Sequence, residues 1–442
     1  MTWTTTLKRA CLSWRYWTPL LVAAMAGMLA FCAYVDQVAY AEPNDFTSFY
    51  YAGRAAAKHM DLYDTPLLRT LAAAQHDQSE LWPYLYPPFL AYVLRSFGAM
   101  PVRAVHTVWV HGLIVSTCVV GLIAWVFQRL WRGSDVTSRE SVLTPIAIAA
   151  ISIYALPIGD NIKMAQVNLY VTAFVALSCA SYFSGRHWAA GALLVPAVLI
   201  KVTPLVFLVF FLARRSLRAV GGFALCAIVL VVWTVGLGAA PAWVRYVRRL
   251  PEMGFGHEIP FLFPLSTLCN SSLSGELARL GVDPNGALAR LSTLVPVLLL
   301  AASLICSLRA RGLRAQALAF ALFPPITIIA SPLVYLHHIV FLFPAAVIWL
   351  TWAWGEMRTA AFCCAVLLLT LSGIDWPILY TRLPRPFCTV PFQAMNLYAV
   401  IALWGLGLVA CLLQRPKDGA CAMSGTHATV NETNPDIQRA VA

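Results

Sequence analysis

Apolar runs recur along this chain from Pro19 almost to Leu413, divided by short polar segments. A run of about 20 apolar residues crosses a hydrocarbon core of roughly 30 Å as a helix. The first run, Pro19 to Val35, follows Lys8, Arg9 and Arg15 and lacks a small-residue cleavage site, so it reads as an uncleaved span. Lys and Arg favour cytoplasmic loops, which puts the N-terminus inside and lets the later spans be followed by their flanking charges. Ala104 to Phe127 returns to Arg129, Arg132 and Arg139. Val142 to Pro157 exits to a loop at Asp160-Asn161-Ile162-Lys163, and Val167 to Phe183 comes back to Arg186. Val220 to Ala240 exits, Leu291 to Leu308 returns, Ala315 to Ala330 exits and Leu333 to Trp354 returns. Thr359 to Leu379 exits, and Asn396 to Leu413 ends inside at Arg415 and Lys417. The pattern predicts an all-α polytopic membrane protein, a bundle of about 10–13 transmembrane helices with both termini cytoplasmic. Residues 1–415 form one integral membrane domain, and residues 416–442 read as a disordered cytoplasmic tail. Residues 36–103 and 241–290 are long external loops; within the first, Phe46 to Met60 is helix-like and Pro87 to Met100 is too short to cross.

One segment contradicts a simple count of spans. Trp188 to Ala213 looks like one long helix, yet Arg186 at one end and Arg214, Arg215 and Arg218 at the other all read as inside. Two short helices turning around Ile200-Lys201-Val202-Thr203-Pro204 remove the conflict, because Pro204 cannot donate to a helical ladder and biases Thr203 away from helical geometry. Lys201 then sits at the apex, facing outward or into a wet cavity, where a broken backbone is tolerated.

Composition supports this picture and narrows the function. The chain is 60% hydrophobic and 11% charged, with a mean hydropathy of +0.72, far from the balance of a soluble domain. The net charge of +12 lies in short clusters between apolar runs, so it reads as topology and not as a nucleic-acid face. Most of the twelve cysteines fall within apolar runs as small hydrophobes; only Cys269 and Cys388 share the outside. The inside loops are too short for a nucleotide-binding domain and carry no phosphate-loop or dinucleotide glycine pattern, which disfavours a nucleotide-sugar donor.

Acidic residues concentrate in the external segments, and an acid at a membrane boundary must be solvated, paired or facing a cavity. The densest constellation is Asn44-Asp45-Phe46-Thr47-Ser48-Phe49-Tyr50-Tyr51-Ala52-Gly53-Arg54. It reads either as a capped interfacial helix with aromatics at headgroup level, or as a site whose Asp45 carboxylate deprotonates a hydroxyl. Trp82-Pro83-Tyr84-Leu85-Tyr86-Pro87-Pro88 offers rings that stack on sugars or anchor the chain, and Gln166 and Asn168 either bind sugar hydroxyls or cap a helix. Lys201 calls for an anionic partner such as phosphate, with snorkelling to water as the alternative. His337 and His338 are adjacent, so on a helix they diverge; one suits a phosphate contact while the other packs. No His or Cys set has zinc spacing, and no metal or cofactor is expected.

Taken in order, Asp45-Phe46 with Tyr50-Tyr51-Ala52-Gly53-Arg54, Tyr86-Pro87-Pro88, Gln166-Val167-Asn168, Ile200-Lys201-Val202-Thr203-Pro204, Asn270-Ser271-Ser272-Leu273 and Ser331-Pro332 with His337-His338 resemble glycosyltransferase family 87. The resemblance covers roughly Asp36 to Ala345 and implies a GT-C-type bundle in the cell inner membrane with an extracytoplasmic site. It implies transfer of a hexosyl group, mannosyl by default, from a polyprenyl-phosphate sugar to a glycolipid or glycan acceptor, with inversion and with Asp45 as base. Lys201 and one of His337 or His338 are the implied phosphate contacts, and Arg54, Tyr86, Gln166, Asn168 and Asn270 complete the implied substrate site. The stretch after Arg54 lacks the glycine expected near His59. Membrane lipids, the lipid-linked sugar and the acceptor are the expected partners, with no nucleic acid. The rival reading is a lipid or sugar transporter, which broken helices also suit, although no internal symmetry supports it.

Overall fold

A computed structural model describes residues 45–77, 79, 81–132, 155–253, 257–258, 262–282, 286–355, 359–376 and 394–414. The expected span Pro19 to Val35, Cys388 and the tail 416–442 lie outside the described residues. Among those described, the secondary structure is helical throughout, with no strand. Val102–Val119, Leu217–Gly236, Ala287–Arg309, Gly312–Ile329, Leu336–Ala353 and Met395–Leu413 are long and apolar enough to cross a membrane. Asn168–Phe183, His187–Ile200, Thr203–Ala213 and Ala360–Gly373 are apolar but shorter. The protein is an all-α polytopic membrane protein.

Helix α1 (Asp45–Ala57) begins with Asp45 in its first turn, where a carboxylate meets the positive end of the helix. Phe46, Phe49, Tyr50 and Tyr51 are all buried, so this helix is a core element and not a surface anchor. It is followed by α2 (Thr65–Ala73) and α3 (Pro88–Leu94), and Pro88 stands where a helix needs no amide donor. Gly53 lets α1 and α3 touch: a Cβ there would lie 2.9 Å from Leu94 Cβ. The long α4 (Val102–Arg132) packs against the helices that carry the polar centre.

Asp160 to Lys163, expected as a loop, instead forms the last part of α5 (Ala155–Lys163). Burial of Asn161 explains this, since its amide donates to Pro157 O at 2.9 Å and to His337 O at 2.7 Å. Helix α6 (Asn168–Phe183) runs away from this point, and α7 (His187–Ile200) returns toward it. Lys201 then breaks the helix in an extended conformation, a 3-10 turn covers Thr203–Leu205, and α8 (Val206–Ala213) follows. Tyr182, at the far end of α6, lies 4.9 Å from the ring of His187 and 5.3 Å from those of Phe210 and Phe211. The start of α7 and the end of α8 therefore share one side, and Lys201 is the apex of a re-entrant pair. At about 1.5 Å per residue, α7 rises about 21 Å, short of a full crossing.

Helix α9 (Leu217–Gly236) runs beside α7 at close range, because a Cβ on Gly191 would fall 1.8 Å from the Ala219 carbonyl oxygen. The segment read as the second external loop holds α10 (Ala240–Arg249) and α11 (Leu273–Arg279). Tyr246 of α10 stacks on Tyr63 at 6.2 Å, and Arg245 pairs with Asp61, joining the two loops. Glu276 and Arg279 of α11 form a buried pair at 2.9 Å, and Tyr398 donates to the same carboxylate at 2.5 Å. Tyr398 belongs to the last described helix, α17 (Met395–Leu413), reached through α12 (Ala287–Arg309), α13 (Gly312–Phe320), α14 (Phe323–Ile329), a 3-10 turn over Leu336–Leu342, α15 (Phe343–Gly355) and α16 (Thr359–Gly373).

Candidate functional site

Three segments deliver polar groups to one place: the start of α1, the junction of α5 with α6, and the Lys201 apex. The 3-10 turn that carries His337 closes it. At the α5–α6 junction Ala165 adopts φ 47°, a left-handed conformation uncommon for a residue with a Cβ. The Trp109 indole holds its carbonyl at 2.8 Å. The next residue, Gln166, is thereby turned so that its amide nitrogen donates to Asp45 Oδ2. Its carbonyl oxygen accepts from the Tyr86 hydroxyl at 3.2 Å. Neither amide of this junction caps α6, whose first turn has no side-chain cap; both reach into the site.

Asn168 Oδ1 accepts from Lys201 Nζ at 3.1 Å, and the ammonium also lies 5.4 Å from the centre of the Phe341 ring. The Asn168 amide reaches the His337 carbonyl at 3.4 Å, where the Asn161 amide already binds. His337 Nδ1 is 3.1 Å from Asp160 Oδ2, while His337 Nε2 is buried without a protein hydrogen-bond partner. The adjacent histidines do not diverge as expected. On this tight 3-10 turn their rings lie 4.6 Å apart, both packed near Tyr335. His338 Nδ1 accepts from the Tyr335 amide at 3.0 Å and closes a capping box, so it organises the turn.

Burial holds the Asp45 carboxyl above the ordinary carboxylate range. The neighbouring His337, the Gln166 hydrogen bond and Lys201 pull it back down, and Asp160 pushes it up. Mutual influence on this scale places Asp45, Lys201, His337 and Asp160 in one electrostatic unit. It holds a carboxylate whose proton affinity is raised, a lysine for an anion, and amides and a phenol suited to hydroxyls.

Other implied residues lie elsewhere. Arg54, nine residues along α1 and so about 13 Å from Asp45 along the axis, bonds Tyr50 at 3.1 Å and Gln75 at 3.3 Å. Asn270 is fully engaged in the protein: it donates to Leu265 O at 3.0 Å and accepts from Val334 N at 3.0 Å and Ser272 N at 3.2 Å. It anchors the segment leading to His337 and does not join the polar centre. Asp160, placed by the sequence in an external loop and not among the implied site residues, joins this centre through its contact with His337 Nδ1; the signal for it was an acid followed after six positions by Gln166 at a span boundary.

An all-helical membrane protein with one half-buried acid, lysine, amide and histidine centre at the apex of a re-entrant helix pair has the build of a polytopic membrane enzyme. Residues 84–332 match glycosyltransferase family 87, and the chain belongs to that family. The match spans Tyr86, Gln166, Asn168, Lys201 and Asn270, while Asp45 and His337 lie outside it. A polyprenol-phosphate-mannose-dependent alpha-(1-2)-phosphatidylinositol mannoside mannosyltransferase of Mycobacterium tuberculosis is 27% identical over 66% of this chain and 66% of its own length. Its Mycolicibacterium smegmatis counterpart is 27% identical over 60% and 61%. A polyprenol-phosphate-mannose-dependent alpha-(1-2)-phosphatidylinositol pentamannoside mannosyltransferase of Mycolicibacterium smegmatis is 28% identical over 74% and 77%. The chain thus spans a little under two thirds of the length of the first two relatives.

Proposed function

We propose that this protein is a membrane mannosyltransferase that moves a hexosyl group from a polyprenyl-phosphate sugar to a glycolipid or glycan acceptor. The observation that carries the reading is the meeting of Asp45, Gln166, Lys201 and His337 from four distant segments. Asp45 takes the acceptor proton as the acceptor oxygen attacks the anomeric carbon, and the configuration inverts. Lys201 and His337 face the donor phosphate, and Tyr86, Gln166 and Asn168 line the sugar side. Donor names of the relatives support the lipid-phosphate sugar.

The cluster lies at the end of α6 and α7 opposite Arg186 and Arg214, which the positive-inside bias assigns to the cytoplasm. The working surface is therefore extracytoplasmic, in a cell inner membrane, with both termini inside. The test is transfer of radiolabelled mannose from polyprenyl-phosphate mannose in membranes carrying Asp45→Asn. Loss of a general base lowers the rate by about 10²–10⁴, with normal insertion and yield. Full activity in this variant, or counterflow of substrate without a glycosidic product, would sink the assignment.

A further inference from the structure

The lipid-phosphate reading leaves one change of charge to be met. When the bond from the anomeric carbon to the phosphate oxygen breaks, its electron pair stays on that oxygen. The acceptor proton goes to the base. The donor's singly charged phosphodiester becomes a phosphomonoester that carries nearly two charges at neutral pH, its second pKa being about 6. Donors that act on this added charge favour the transition state over the ground state.

Lys201 supplies one positive charge at the apex. Among the described residues, the titratable side chain at this centre with a buried polar atom lacking a protein partner is His337. A carboxylate only accepts, so the Asp160 contact at 3.1 Å puts a hydrogen on His337 Nδ1 and fixes the ring. The other nitrogen, Nε2, is buried with no protein partner, and the residue itself is 4% exposed. His338 has no such arrangement, because its Nδ1 accepts from the Tyr335 amide inside the turn. Asp160 is half-buried, with its side chain 27% exposed, and joins the unit from α5. The charged and titratable groups around His337 are Asp45 from α1, Asp160 from α5, Lys201 from the apex, and His338 and Tyr335 from its own turn.

We infer that Asp160 is a positioning residue that holds His337 as a charged donor, with its Nε2–H turned to the phosphate oxygen that gains charge as the sugar leaves. Asp160 touches neither sugar nor lipid; it acts through the imidazole, as a carboxylate behind a histidine ligand does. The inference rests on the lipid-phosphate reading above and adds a selectivity for product phosphate over donor.

The experiment measures binding of two ligands to the full-length protein in detergent: free polyprenyl phosphate and polyprenyl-phosphate mannose. Asp160→Asn keeps an acceptor for Nδ1 but removes the charge. It is expected to weaken free polyprenyl phosphate about tenfold or more, the worth of one charge-assisted hydrogen bond, while the mannosyl donor changes less than about threefold. His337→Gln, which also removes a contact to the donor phosphate, weakens both ligands but free polyprenyl phosphate more; the double variant adds little to it, and Asp160→Glu restores most of what Asp160→Asn loses. Equal weakening of both ligands, or no change in either, overturns the inference. If Asp160→Asn fails to fold, the His337→Gln split and the Asp160→Glu binding decide it alone. The two readings fail separately. If Asp45→Asn abolishes transfer and the split is absent, only the Asp160 role falls. If the unaltered protein binds neither ligand, the lipid-phosphate reading falls with it.

Discussion

Gln166 offers a way to measure how the protein tunes Asp45. Its amide nitrogen donates to the Asp45 carboxylate and its carbonyl oxygen accepts from Tyr86, so the side chain both stabilises and aims the acid. Replacing it by Leu keeps the bulk and removes the donor. A hydrogen bond to a charged group contributes about 1.5–3 kcal/mol, and one pKa unit corresponds to about 1.36 kcal/mol. The ionised form would lose about 1–2 units of support, toward the lower end because Asp45 is only half-buried. The sign follows from the role: Asp45 accepts a proton only when ionised, burial already sets its pKa above the ordinary range, and removal of a donor raises it further. Activity is lost as pH falls through that pKa. The acidic limb of kcat/KM against pH, measured with polyprenyl-phosphate mannose in purified membranes, should move up by about one unit or more in Gln166→Leu. Tyr86→Phe removes only a neutral hydrogen bond one step away and should move the limb by well under one unit. An unmoved limb in Gln166→Leu, with activity reduced equally at all pH values, would refute the assignment of the limb to Asp45.

Two further outcomes test the frame around the site. Lys201→Met, which removes the apex charge while leaving the stem's packing, should lower kcat/KM for the donor by about 10- to 150-fold, the equivalent of about 1.5–3 kcal/mol; an unchanged value would remove Lys201 from the phosphate. Arg279→Met strands the buried Glu276 carboxylate with Tyr398 alone and cuts the ties to Thr267 O and Asn270 O, both at 2.9 Å. Breaking a buried pair this way costs about 3–5 kcal/mol, seen as a lower thermal midpoint of the detergent-solubilised protein, with little loss if the pair is solvated.

The membrane architecture was readable in one dimension because hydropathy and charge are local properties. Arg186 and the Arg214 cluster could not both flank a single span, and that conflict together with the Pro204 signal is enough to locate the Lys201 break in the sequence itself. The same local logic misread Asp160 to Lys163 as a loop: nothing near Asn161 in the chain tells that its amide will meet the His337 carbonyl 176 positions away. The resemblance implied Arg54 and Asn270 as substrate contacts, and motif membership says nothing of where in the fold a residue stands. On a helix, Arg54 is carried more than two turns from Asp45, and Asn270 closes onto Val334. The adjacent histidines were expected to diverge, but a 3-10 turn with Tyr335 beside it brought their rings together. Which acid faces which base is settled by packing between segments far apart in sequence. Asp45, readable as an acid at the start of a helix, became a tuned one only when Gln166, Lys201 and His337 were brought against it.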